Sequence, residues 1–230
     1  TLSSSSAASD VYKRQIQEGV YDPGIFKAFF LAGGPGSGKT YVTNRATRGM
    51  GLKMVNSDIR FERYLQKAGL SLKMPDSEAG ARDPLRQRAK QITGDQMDRY
   101  IRGRLGLVID ATGRDYDVIN RQRSMLQMLG YDSYMIFVNT SLQVALERNR
   151  TRTRSVPEAI TRKSWQTVQN NIGKFQNLFG RSNMIVVDNN NAKENELLNV
   201  YKEVRRLINV PVRNYVAKKW VERELQLKKR

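Results

Sequence analysis

From residue 16 onward, short apolar runs alternate with longer stretches whose apolar positions recur every three or four residues. The runs at 26–31, 53–55, 107–109, 134–138 and 184–187 predict strands. The amphipathic stretches predict helices at about 39–48, 58–68, 84–102, 116–129, 142–149, 158–178 and 192–208. Each crossover is long enough for a right-handed strand-helix-strand unit, so the expected fold class is α/β, a five-stranded parallel sheet flanked by helices. DNNN at 188–191 and the stretch around Pro75 read as irregular. No internal repeat is apparent.

The expected domain spans residues 16–210. After Pro211 the tail carries seven basic and two acidic residues and predicts a helix outside the sheet, residues 211–230. Residues 1–15 stand apart. SSAASDVYKRQ, from Ser5 to Gln15, back-translates to a transposase-type sequencing-library adapter read in frame, so this segment is expected to be a scar with no part in the fold. The natural start is then unseen, and a missing signal peptide carries no information.

Composition narrows the chemistry. Hydrophobic residues make up 39% and charged ones 27%, with no apolar run near the roughly 20 residues that a membrane helix needs. Forty Lys and Arg against 22 Asp and Glu give a formal charge of +18, a field that favours phosphate-rich partners. There is no Cys and no His. Thiol nucleophiles, disulfides, thiolate or imidazole zinc sites and imidazole acid-base catalysis are thereby excluded, leaving carboxylates, Lys, Arg, hydroxyls and an oxygen-bound metal such as magnesium. The lack of cysteine fits a reducing cytoplasm.

Four segments carry candidate chemistry. GGPGSGKT (Gly33, Gly34, Pro35, Gly36, Ser37, Gly38, Lys39, Thr40) matches G-x-x-x-x-G-K-[ST] between a predicted strand and a predicted helix, the context that a phosphate-cradling loop requires. Its glycines let several N–H groups converge on one anion, Lys39 is placed to reach the β- and γ-phosphates of ATP, and the Thr40 hydroxyl to ligate Mg2+. NSD puts Asp58 just past the second strand, facing the ligand crevice of an open parallel sheet. There it can take the proton of an attacking hydroxyl; alternatively Ser57 or Asp58 simply caps the following helix. LGLVIDATGRD ends a strand in Asp110, suited to the magnesium shell or a cationic side chain, or else an ordinary turn acid. ERNRTRTRSVPEA packs Arg148, Arg150, Arg152 and Arg154 before Pro157, as in a lid that brings guanidiniums to a transferring phosphoryl group, or as in a solvated face.

In this order, GGPGSGKT, NSD, IDATGRDYDVINR and ERNRTRTRSVPEAI resemble the P-loop kinases of the polynucleotide kinase and zeta-toxin group, over about residues 26–175, with the best local match to the bacteriophage-type polynucleotide kinase domain. The resemblance implies a P-loop NTPase fold with an Arg-rich lid, ATP and magnesium as co-substrates, and transfer of the γ-phosphate to a hydroxyl. It implies phosphate and magnesium roles for Lys39 and Thr40, a general base in Asp58, a second carboxylate in Asp110 and lid arginines in Arg148 and Arg152. The family's acceptor arginine falls at Phe61 here, with Arg60 and Arg63 as flanking substitutes; the lid runs one residue short before Val156-Pro157; and no D-x-D-x-T phosphatase motif follows.

The acceptor stays open between a polynucleotide 5'-hydroxyl, favoured by the basicity, the tail and ARDPLRQRAK (Arg82, Arg86, Arg88, Lys90), and a phosphorylated small molecule such as a nucleotide sugar. A third possibility is an ATP-binding module that docks on nucleic acid without phosphorylating it. Trp165, Phe175 and Phe179 read as packing, and Trp220 either as a base-stacking residue or as an anchor of the tail.

Overall fold

In the computed structural model, which describes residues 19–153 and 156–229, β1 (Lys27–Ala32), β2 (Lys53–Val55), β3 (Leu107–Asp110), β4 (Asp132–Asn139) and β5 (Met184–Asp188) form one parallel sheet in the order β2-β3-β1-β4-β5. The helices are α1 (Lys39–Ala46), α2 (Ser57–Lys67), α3 (Ala79–Arg102), α4 (Tyr116–Met128), α5 (Leu142–Thr151), α6 (Glu158–Phe179), α7 (Glu194–Asn209) and α8 (Tyr215–Leu227). Residues 1–15 and Arg154 lie outside the described residues.

Every residue of β1 is buried because the sheet is covered on both sides. Successive strand side chains point to opposite faces. Ala28, Phe30 and Ala32 therefore join one core with Ile101, Ile119 and Phe175 of α3, α4 and α6. Phe29 and Leu31 join the other with Val42 of α1 and Leu197 and Val204 of α7. A smaller cluster, Phe61, Leu65 and Ala89, binds α2 to α3. Since the helix after β1 packs on one face and the helix after β3 on the other, a crevice opens between the carboxyl ends of these neighbouring strands.

Two of the boundaries that differ from expectation have a clear cause. Helix α3 begins at Ala79, five residues before Pro84, which sits inside it and forgoes one backbone donor. Strand β1 starts one residue late because Phe26 adopts a left-handed φ of 56°, held by edge-on contacts with Tyr131 and Trp220, each at 5.5 Å between centroids. The tail helix α8 docks through Ala217 and Trp220, so Trp220 anchors the tail.

This docking also fixes where the tail lies. The Asp132 carboxylate accepts from Lys27 Nζ (3.0 Å) and from the backbone N–H groups of Arg213 (2.9 Å) and Asn214 (3.2 Å), all at the amino end of β4. The glycine loop faces the opposite end, on the order of 25 Å away along eight strand residues. The tail's basic residues thus do not line the crevice, contrary to the weight they carry in the sequence reading. Among the described residues no helix is long and apolar enough to cross a membrane.

Candidate active site

The glycine loop joins β1 to α1. Gly36 and Gly38 have φ of 79° and 81°, where a side chain is strained. Space forbids one as well: a Cβ on Gly36 would lie 2.1 Å from the Ala145 carbonyl oxygen, and one on Gly38 2.3 Å from Asn189 Nδ2. The loop turns back through Ser37 N–H donating to Gly34 O (3.1 Å) and ends at the first turn of α1, whose leading N–H groups have no intrahelical acceptor. The Ser37 hydroxyl is buried with no hydrogen-bond partner among the described residues.

Lys39 Nζ donates to Gly33 O (2.6 Å) and Gly34 O (3.4 Å), so the ammonium curls over its own loop. Burial pushes its pKa below the ordinary lysine value; the negative charges of Asp110 and Asp58 pull it up again, and Arg152 pushes it down. Asp110 mirrors this. Burial raises its carboxyl, with Lys39 and Arg152 opposing the rise and Asp58 adding to it. Lys39 and Asp110, drawn from separate segments, thus each feel the other's charge and those of Asp58 and Arg152 at the crevice.

Asn56 links the two aspartates, through the backbone of Asp58 and the carboxylate of Asp110. Its side-chain oxygen accepts from Asp58 N–H (2.7 Å), which makes Asn56 the cap of α2 in place of Ser57 or Asp58. Its amide nitrogen donates to Asp110 Oδ2 (2.6 Å). One side chain therefore ties the end of β2 to the end of β3.

The arginine run divides. Arg152 follows α5 and belongs to the charge cluster. Arg148 is half-buried and donates to the carbonyls of Asn189 (2.7 Å) and Asn190 (3.1 Å), bracing the loop after β5 beside Gly38. Arg150 is exposed and pairs with Glu158 at 2.8 Å. Arg60 donates to Gln96 Oε1 of α3 (3.0 Å), and with Arg63 it lines a cavity of about 300 Å³ bounded by α2, Met54 of β2 and Gln96. A second cavity of about 310 Å³ reaches Asp110 from between α3 and α4, with Lys90, Thr93 and Gln122 in its wall.

Sequence reading missed a set of asparagines. Buried Asn149 donates to Val156 O (2.6 Å) and accepts from Val156 N–H (3.0 Å), closing the base of the segment that carries Arg150 and Arg152. Buried Asn171 of α6 donates to Gly113 O and Arg114 O (both 3.0 Å), fixing the loop after Asp110. Asn189 donates to Ser37 O at 2.7 Å. The Trp165 indole N–H donates to Thr140 O (2.8 Å), and its backbone lies against Gly34. The one available signal was Asn at 149 and 171 within helical periodicity, where it is a poor helix former.

These residues fit a nucleoside triphosphate and a hard cation. The glycine turn leaves no room for a side chain, an unpartnered buried hydroxyl faces it, and Lys39 is satisfied only by loop carbonyls. Among the described residues there is no cluster of three acidic ligands. Magnesium is commonly held by one or two protein oxygens plus substrate phosphates, and Thr40 and Asp110 would be those oxygens.

Fold and loop together define a protein of the P-loop phosphotransferase class. The family model described as an AAA domain matches residues 29–175, and the chain belongs to that family. No curated protein matches it in sequence. Among solved structures it is similar to a protein of Chloroflexus aurantiacus assigned as a kinase, at 17% identity and TM-score 0.56, over 79% of this chain and 98% of that one. It is similar also to a chain of the PezAT toxin-antitoxin system of Streptococcus pneumoniae, at 14% identity and TM-score 0.55, over 88% and 92%. A chain of the Pnkp1/Rnl/Hen1 RNA repair complex is similar at 20% identity and TM-score 0.50, over 66% of this chain and 46% of that one. Identities this low speak for the fold.

Proposed function

We propose that the chain is an ATP- and magnesium-dependent kinase that transfers the γ-phosphate to a hydroxyl, with the 5'-hydroxyl of a polynucleotide as acceptor. The observation that carries this is that Lys39 and Asp110 each feel the other's charge and those of Asp58 and Arg152 beside a glycine turn with no room for side chains. The loop N–H groups and the start of α1 hold the phosphates. The Lys39 ammonium leaves the Gly33 carbonyl for the β- and γ-phosphate oxygens. Asp58 takes the proton from the acceptor hydroxyl as its oxygen bonds to the γ-phosphorus and the bridging oxygen departs with ADP. Arg152 stabilises charge on the transferred phosphoryl group, and Arg148 holds the β5 loop against the phosphate turn. Thr40 and Asp110 would hold magnesium, which would supply neutralisation of phosphate charge. Asn56 keeps both carboxylates in register, and positioning is most of what such a reaction asks of a protein.

A second reading, a small phosphorylated acceptor such as a nucleotide sugar, is favoured by the 310 Å³ cavity beside Asp110, which is at the lower end of small-ligand volumes. Incubation with γ-labelled ATP and a panel of 5'-hydroxyl DNA, 5'-hydroxyl RNA and UDP-sugars decides between them. Label on an oligonucleotide end supports the first reading and label on a sugar the second. Phosphate release with every acceptor unlabelled rejects both and leaves an ATP-hydrolysing module.

A further inference from the structure

The cavity bounded by α2, the end of β2 and Gln96 of α3 carries more than Arg60 and Arg63, the flanking substitutes for an acceptor arginine. Arg60, Arg63, Tyr64 and Lys67 line it at positions i, i+3, i+4 and i+7, one stripe of the helix. The buried stripe, Phe61 and Leu65, packs on Ala89 of α3, with Tyr64 against its edge, and Gln96 of α3 forms the groove's far wall. Arg63 and Lys67 are exposed, and no hydrogen bond or ion pair among the described residues uses either of them. Tyr64 is half-buried, with the Arg88 guanidinium 5.7 Å from its ring centroid. The wall is completed by Asn56, the residue that binds Asp110, so the groove leads directly to the crevice.

We infer that this groove is the track of a single-stranded nucleic acid, in which Arg63 and Lys67 meet successive phosphates and Tyr64 stacks on a base. Neighbours on a helical stripe are about 5–6 Å apart, close to the step between phosphates of an extended strand. A polar groove with cations and one aromatic ring is what sequence-tolerant single-strand binding requires. A small diphosphate would need its cations converging on one point; these are spread along a line. The tail helix is the competing basic surface, but it lies at the far end of the sheet.

The inference rests on the polynucleotide reading of the acceptor, yet its test is independent of catalysis. The affinity of a labelled oligonucleotide of about twelve nucleotides is measured by fluorescence anisotropy across a salt series. In Arg63→Glu/Lys67→Glu, affinity at low salt is expected to fall tenfold or more, and the slope of log K against log salt to shrink by about 1 to 2. Tyr64→Leu, which keeps the packing and removes the ring, is expected to weaken binding about tenfold with the slope intact. ATP affinity and thermal unfolding are expected to be unchanged in both variants. Wild-type affinity and slope in the charge-reversed variant would overturn the proposal. So would a larger slope loss in Lys218→Glu/Lys219→Glu on α8, or displacement of the strand by polyglutamate as effective as by unlabelled oligonucleotide. If strand binding tracks the groove while no acceptor takes up label, the groove stands and the kinase reading falls; if oligonucleotides are phosphorylated with unchanged KM by the charge-reversed variant, the reverse holds.

Discussion

Each end of the sheet sets a lysine within the field of an aspartate, Lys27 fully buried and Lys39 half-buried, and the two pairs are built in opposite ways. At the amino end Lys27 Nζ donates to Asp132 Oδ2 at 3.0 Å, with 1% of the Lys27 side chain and 12% of the Asp132 side chain exposed. The remaining capacity of Asp132 goes to two backbone N–H groups that pin the tail. At the carboxyl end Lys39 and Asp110 share no salt bridge; Lys39 bonds to backbone carbonyls and Asp110 to the Asn56 amide, although each feels the other's charge. Burial lowers the pKa of both lysines. A pair that satisfies itself is structure. A cation and a carboxylate held apart by neutral partners lose solvation with only partial mutual compensation, and a ligand that brings phosphate and metal supplies what they lack.

This contrast separates function from stability, and the variants that test it do so in decreasing order of effect. Lys39→Met is expected to cut transfer about a thousandfold or more while the melting temperature stays within a few degrees of wild type, read by initial rates and thermal unfolding. A large loss of stability would make Lys39 a fold residue and erase the contrast. Asp132→Ala leaves the Lys27 ammonium buried and unpaired. Stability measured in urea is expected to fall by about 3–5 kcal/mol, with ATP affinity per folded molecule unchanged.

The two ends were not equally legible in the sequence. The strands were readable because a sheet covered on both faces demands runs such as FKAFFL, and the glycine turn because its determinants lie within eight residues. Strand order then carried Asp58 and Asp110 to the crevice, and the structure couples their charge to Lys39. Helix start 79 was hidden because Pro84 imitates a first-turn proline. Lys27 and Asp132 are 105 positions apart, and nothing local marks them as partners. The asparagines were invisible for a related reason. An amide at Asn56, Asn149, Asn171 or Asn189 reads as loop or solvent-facing until the fold closes around it; once closed, each donates across to another segment, and Asn56 and Asn149 accept as well, which makes them braces.

Asn56 sharpens the comparison because it serves two roles that different substitutions separate. Asn56→Ala loses the α2 cap and the Asp110 bond together, with an expected stability loss of about 1 kcal/mol and a rate loss of about thirtyfold. Asn56→Asp keeps the cap acceptor but sets a carboxylate against Asp110. It is expected to hold its melting temperature better than the alanine variant while losing at least as much rate. Equal rates in Asn56→Asp and wild type would show that the Asp110 contact does not matter to transfer.

The smallest effect lies in alkaline solution and belongs to the amino end. Burial pushes the Tyr134 hydroxyl up from 10.0 to about 12, so its neutral form is favoured by folding. That stabilisation is complete below pH 10 and is lost as pH rises from 10 towards 12. Burial pushes Lys27 the other way, below 10.5, so its contribution is lost as pH falls through its lowered pKa and is fully present only above 10.5. Stability is therefore expected to climb slightly as pH approaches 10 and then to fall, by about 2 kcal/mol or less for the Tyr134 share. Denaturant midpoints at successive pH values read both limbs. Lys27→Met should remove its own share of the climb and Lys39→Met the share that its likewise lowered pKa adds, while Tyr134→Phe should blunt the fall, which Lys39→Met leaves in place because its ammonium sits at the other end of the strands. A fall of undiminished steepness in Tyr134→Phe would assign the alkaline limb to Tyr131, whose hydroxyl donates to Leu105 O at 3.0 Å and whose pKa burial also raises.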